Sequence, residues 1–91
     1  MRPITLGGFG FEEEPGGPFV AVVLLSAIPD PAWITFFRAR ARYSVFDFAA
    51  APFRRNQVRI ELPRREDLGE LIQSVEWCIE AANRDTEFHA P

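Results

Sequence analysis

An α+β fold is what this chain predicts, and three stretches of sequence carry the prediction. Residues 19–26 are a short run rich in valine and leucine between turn residues, residues 57–62 alternate polar with apolar, and residues 64–84 repeat their apolar positions at the helical period. With 91 residues and 10.3 kDa, the chain can enclose one hydrophobic core and no second one. Its 47% hydrophobic and 25% charged residues are the balance of a folded protein, which argues against disorder, a collagen-like repeat or a coiled coil.

Taken in order, residues 1–17 hold all but one of the six glycines. Gly7-Gly8-Phe9-Gly10-Phe11 follows neither a helical nor a strand period, so it reads as an arm, or as one short edge strand with a loop. The run 19–26 is too short for a typical helix and apolar throughout, the pattern of a central strand covered on both faces. Asp30 is a good N-cap and Pro31 a good first helical residue, because proline lacks only an N–H that is unpaired there anyway. On the helix that follows, Trp33, Ile34, Phe37 and Ala41 share one arc, with Phe36 at its edge. Residues 43–49 contain strand formers without clean alternation and are read as a strand, with 50–55, including Pro52, as a hairpin loop. Val58, Ile60 and Leu62 then alternate with Gln57, Arg59 and Glu61, which gives a strand with one wet face. The last helix places Leu68, Leu71, Ile72, Val75, Cys78, Ile79 and Ala82 on one stripe, with acids Glu66, Asp67 and Glu70 at its start and Arg84 near its end. No good N-cap precedes it, and Gly69 weakens its first turn.

Strand, helix, strand, strand, helix is the order of the first five elements of the ferredoxin-like βαββαβ pattern, without its final strand. The expectation is therefore a ferredoxin-like βαββα domain with an open sheet of three or four strands, antiparallel or mixed. Strand order is 1-3-2, and a right-handed crossover puts both helices on one face. A strand at residues 4–6, antiparallel to the central strand, fills the edge that the missing strand leaves. Residues 1–17 form the arm or edge strand, 18–88 the single domain and 89–91 a tail.

Several function classes are set aside at this stage. A lone Cys78 makes neither an internal disulfide nor a multi-cysteine zinc or iron–sulfur site. The apolar run 19–28 is about half as long as a membrane-spanning helix requires. Glu12, Glu13 and Glu14 separate it from Arg2, unlike a secretory signal, so a cytoplasmic location is expected. All ten basic residues are arginine, which reads as the composition of a GC-rich bacterial genome. His89 sits in the tail, Cys78 lies on the core stripe and Glu12 to Glu14 are adjacent carboxylates in an arm, so no catalytic residue, metal ligand or cofactor is assigned. Gly7-Gly8-Phe9-Gly10 has neither the strand before it nor the helix after it that a dinucleotide fingerprint needs. Asp47, inside Val45-Phe46-Asp47-Phe48, is expected to pair across strands with Arg59.

What remains is surface. With both helices on one face, a strand apolar on both sides points Phe19, Ala21, Val23 and Leu25, or else Val20, Val22, Leu24 and Ser26, at something other than the helices. Three covers fit: the arm folding back with Phe9 and Phe11, a second copy packed sheet to sheet, or a different protein. Trp77 lies opposite the apolar stripe, and with Ser74 and Ala81 as small neighbours it has the character of an interface anchor. Residues 38–65 carry eight arginines against Asp47 and Glu61, a balance of +6, whereas residues 66–91 carry seven acids against Arg84, a balance of −6. The expected function is a small non-catalytic protein-contact module, a homodimeric adaptor or an accessory or inhibitory subunit. Its contact residues are Trp77, Ser74, Ala81, Arg54, Arg55, Val22 and Leu24. One alternative is a nucleic-acid binder using Arg38, Arg42, Arg54, Arg55 and Arg59, against which the net charge of −3 argues. The other is a dimeric enzyme or ligand binder with a pocket at Trp33, Phe37 and Phe46.

Overall fold

A computed structural model describes residues 3–13 and 15–88. Two strands open the chain, β1 (Leu6–Glu13) and β2 (Phe19–Leu25), followed by α1 (Pro31–Ala41), β3 (Phe53–Arg54) and β4 (Gln57–Leu62). A 3-10 turn (Arg65–Asp67) then leads into α2 (Leu68–Phe88). The sheet is antiparallel throughout, in the order β1-β2-β4-β3. The fold is α+β and consistent with a ferredoxin-like βαββα arrangement from β2 to α2, with β1 occupying the edge beside β2.

Alternation decides which side of β2 is the core. Phe19, Ala21, Val23 and Leu25 are buried, and Val20, Val22 and Leu24 are half-buried on the other face. Across from them Val58, Ile60 and Leu62 of β4 are buried while Gln57, Arg59 and Glu61 face outward, so the two strands share one inner face. Asp30 caps α1 by accepting from the Trp33 N–H at 2.9 Å, Pro31 starts the helix, and Trp33, Phe37 and Ala41 are its buried residues. Phe37 is the centre of the core. Its ring stacks on Trp33 at 5.4 Å, meets Phe53 edge-on at 5.4 Å and leans on Phe48 at 5.7 Å. Packed against α1, α2 adds Leu71, Ile72, Val75, Cys78, Ile79 and Ala82 to the same core.

Four expectations are corrected. The glycine-rich segment is neither an arm nor a three-residue strand: β1 runs for eight residues and pairs with β2 from Leu6 to Glu13. Its edge position and antiparallel sense are those anticipated for residues 4–6. Residues 43–49 are not a strand, because the chain leaves α1 through successive tight turns. Tyr43 N donates to Arg40 O at 3.0 Å and Asp47 N to Ser44 O at 3.0 Å, with Asp47 at φ 40°. The partner of β4 is instead the two-residue β3, inside the stretch read as loop; Pro52, without an N–H, stands where the ladder stops. The last helix begins only at Leu68, after the 3-10 turn, since Arg64 makes no capping bond, and it continues past Arg84 to Phe88. His89 and the 89–91 tail lie outside the described residues.

Candidate functional site

Trp77 does look outward. It is 48% exposed on α2, and the Arg40 guanidinium lies 5.9 Å from its ring centre. Arg40 is itself held by Asp85 at 3.3 Å, so the cation over the tryptophan is tethered at both ends of its reach. The turns after α1 then set Tyr43 and Val45, 82% and 86% exposed, beside this ring. Together with Ser44, Glu70, Gln73, Ser74 and Cys78 these three residues line a shallow depression of about 480 Å³. Ser74 is part of it. Ala81, expected as a second small neighbour, is fully buried: Arg40 reaches both Trp77 and Asp85, one helical turn to either side, and brings α1 against the alanine between them. Beneath the depression, burial pushes the Cys78 thiol up to about 11, with the nearby Arg40 charge working weakly against it. The thiol is therefore protonated at neutral pH and not an activated nucleophile.

The outer sheet face is a second surface. Val22 and Leu24 lie on it, half-buried, beside Gly10 and Gly8 of β1, which offer no side chain to cover them. Glu12 opposes Val20 and Arg59 opposes Val22 from the other side, and the two charged groups meet over β2 in an ion pair that straps three strands together. Hydrogen bonding and charge from Arg59 hold the Glu12 carboxyl below its ordinary range. Arg59 thus pairs with Glu12 and not with Asp47, which the turn at φ 40° removes from the sheet. Phe9 and Phe11 do not cover this face either. Opposite Val23 and Ala21, they project to the helix side, where Phe11 stacks on Phe19 at 5.0 Å beneath the Arg65 guanidinium, 4.8 Å from its ring centre.

The basic segment is divided by the fold. Arg38 lies on the helix side, 5.4 Å from the Phe53 ring centre, and Arg42 is exposed at the end of α1. Arg54, paired with Gln57, and Arg59 belong to the outer sheet face. Arg55 occupies the hairpin turn at φ 58°, a left-handed conformation usually left to glycine or asparagine. The hairpin is fixed in place by Asn56, whose O accepts from Leu25 N at 2.8 Å and whose Nδ2 donates to Leu25 O at 2.9 Å. The five arginines named for nucleic acid are therefore not brought to one face.

Nor do Trp33, Phe37 and Phe46 enclose a pocket. Phe37 is completely buried, and Phe48 and Phe53 fill the space around it. Of the three, Trp33 alone borders a cavity of about 600 Å³, at the end of the fold, whose walls include Ile4, Ile28, Pro29, Asn83 and Thr86. Asn83 was not anticipated: its Oδ1 accepts from Trp33 Nε1 at 2.9 Å and from Ile4 N at 3.1 Å, and its Nδ2 donates to Ile4 O at 2.8 Å. Beside it the Thr86 hydroxyl is buried without a hydrogen-bond partner among the described residues. No group of three or more His, Cys, Asp or Glu positioned to hold a metal ion occurs among the described residues, and no described helix is long and apolar enough to cross a membrane. Comparison with family models, curated proteins and solved structures finds no match to this chain.

Proposed function

We propose that this chain is a small non-catalytic module that acts by contact with other protein chains, and that Trp77, Tyr43 and Val45 are its contact residues. The observation that carries the reading is the convergence of these three exposed apolar side chains, from two separate parts of the sequence, around one shallow depression. An apolar centre with a polar margin, here Glu70, Gln73 and Ser74, is the anatomy of a protein interface. Tryptophan and tyrosine contribute large contact area with few torsions to freeze, and the tether of Arg40 to Asp85 orders the cation over Trp77 before any partner arrives. In a cytoplasmic setting such a chain serves as a homodimeric adaptor or as an accessory or inhibitory subunit.

The test is the native size of an epitope-tagged chain in extract of the cells that make it. The tagged wild type should elute in a complex, and Trp77→Ala with Tyr43→Ser should move it to a smaller size while leaving its melting temperature nearly unchanged. Elution that ignores the two substitutions contradicts the reading.

A further inference from the structure

The free edge of the sheet points to a specific partner, a second copy of this chain. We propose that β1 pairs with β1 of a second copy, antiparallel about a two-fold axis at Gly10, so that two four-stranded sheets become one of eight strands. The inference rests on the reading of the chain as a protein-contact module and names one occupant of its surface.

Backbone directions come first. Ser26 N donates to Thr5 O at 2.8 Å whereas Leu25 N donates to Asn56 O at 2.8 Å, which fixes the side each residue of β2 addresses. By alternation Leu24, Val22 and Val20 turn their N–H and C=O groups toward β1, and their partners Gly8, Gly10 and Glu12 turn theirs back. Phe9, Phe11 and Glu13 consequently direct N–H and C=O away from β2, along an edge where no described strand pairs with them. An edge strand of eight residues is long, and this one carries no proline and no lysine; its register shift lies at one end, between Leu6 and Gly8, and its two glutamates at the other, so the stretch from Gly8 to Phe11 stays regular and uncharged.

The sequence of β1 is also complementary to itself. Antiparallel pairing keeps opposed residues on the same face, so a two-fold axis must pass through a residue position. With that position at Gly10, Phe9 exchanges backbone hydrogen bonds with the partner's Phe11, and both rings stand on the helix side, where they are 53% and 43% exposed in one copy. Glu12 then opposes the partner's Gly8 and Glu13 the partner's Gly7, so carboxylate never faces carboxylate. The opposite edge of the sheet does not extend the assembly, because β3 is two residues long and ends in Arg54 beside Arg55, which repel an identical edge. Association stops at two copies.

The experiment combines solution mass with a disulfide placed on the axis. Gly10 and the partner's Gly10 form a non-hydrogen-bonded pair with Cα atoms about 4.5 Å apart, within disulfide range. A side chain at Gly10 meets no described atom within 4 Å. Native Cys78 is buried and does not compete. Light scattering should give the wild type twice 10.3 kDa, and mild oxidation should link most of Gly10→Cys as a dimer. Glu12→Cys, four residues out of register with its own copy, should remain unlinked. A wild-type dimer in which Gly10→Cys does not link overturns the edge pairing but leaves the protein-contact reading standing. A monomeric wild type overturns it as well, and the Trp77 surface is then decided by the native-size experiment alone. Hydrogen exchange on the unaltered chain is independent of whether either variant folds: the Phe9 and Phe11 amides should slow as concentration rises, and fast exchange at every concentration overturns the pairing.

Discussion

Asn83 and Trp33 are joined by a hydrogen bond of 2.9 Å from the indole Nε1 to the amide Oδ1, and the same amide grips the backbone of Ile4 in both directions. One side chain near the end of α2 thus ties α1 to the residues that lead into β1. The arrangement does for Ile4 what a neighbouring strand does for a ladder residue, satisfying its N–H and its C=O together.

Replacing Asn83 with alanine leaves the Trp33 indole N–H and both backbone groups of Ile4 without partners in a largely buried setting. The expected cost is about 2–4 kcal/mol, since each buried polar group left unsatisfied costs about 1–3 kcal/mol and some regain water. Urea denaturation measures it. A loss below about 0.5 kcal/mol, within the usual range for a surface substitution, contradicts this role.

Thr86 presents the opposite case. Its hydroxyl is buried with no partner among the described residues, so its desolvation is uncompensated. Thr86→Val exchanges the hydroxyl for a methyl of nearly the same size and should stabilise the chain by about 1 kcal/mol. Thermal melting followed by circular dichroism reads the change, and clear destabilisation would show that the hydroxyl has a partner after all.

Cys78 gives a signature at high pH. Burial disfavours its thiolate and pushes the thiol up to about 11 in the folded chain, from an ordinary value of 9.0. The folded-state value is raised, so the contribution to stability is complete below pH 9.0 and is lost as the pH rises through about 11, where the unfolded chain is already ionised. Comparing wild type with Cys78→Ala across that window isolates the effect from other groups. At pH 8 an aromatic disulfide reagent should leave folded Cys78 untouched and react on unfolding.

How much of this was legible in the sequence depended on where each signal was stored. The strands β2 and β4 announced themselves because their side chains record which face is buried, and α2 did so through a stripe seven residues strong. The strand β1 was illegible for a physical reason: with glycine at positions 8 and 10, the face opposite Phe9 and Phe11 has only Glu12 to mark the alternation, and what holds the strand is backbone pairing with β2. Gly7 in addition approaches the β2 backbone so closely that a Cβ would meet Leu24 O at 3.3 Å. Residues 43–49 misled because aromatic and β-branched residues suit a strand, yet here they serve a turn: Phe48 anchors it in the core while Tyr43 and Val45 stay exposed. Trp77 was visible from helical spacing alone. That Tyr43 and Val45 join it was not, since this depends on how the chain folds back after α1. Asn83 was hidden because its partners, Ile4 and Trp33, are distant in sequence.

The most direct test of the account is photo-crosslinking from Val45, at the rim of the Trp77 depression, in the cells that make the chain. A photoreactive residue placed there should yield one discrete protein adduct that disappears when Trp77 is changed to alanine, in a variant whose stability stays within about 1 kcal/mol of wild type. An adduct pattern unchanged by Trp77→Ala, or no adduct beyond that of a probe placed at the exposed Glu76, would contradict the claim that this surface is where the protein meets its partner.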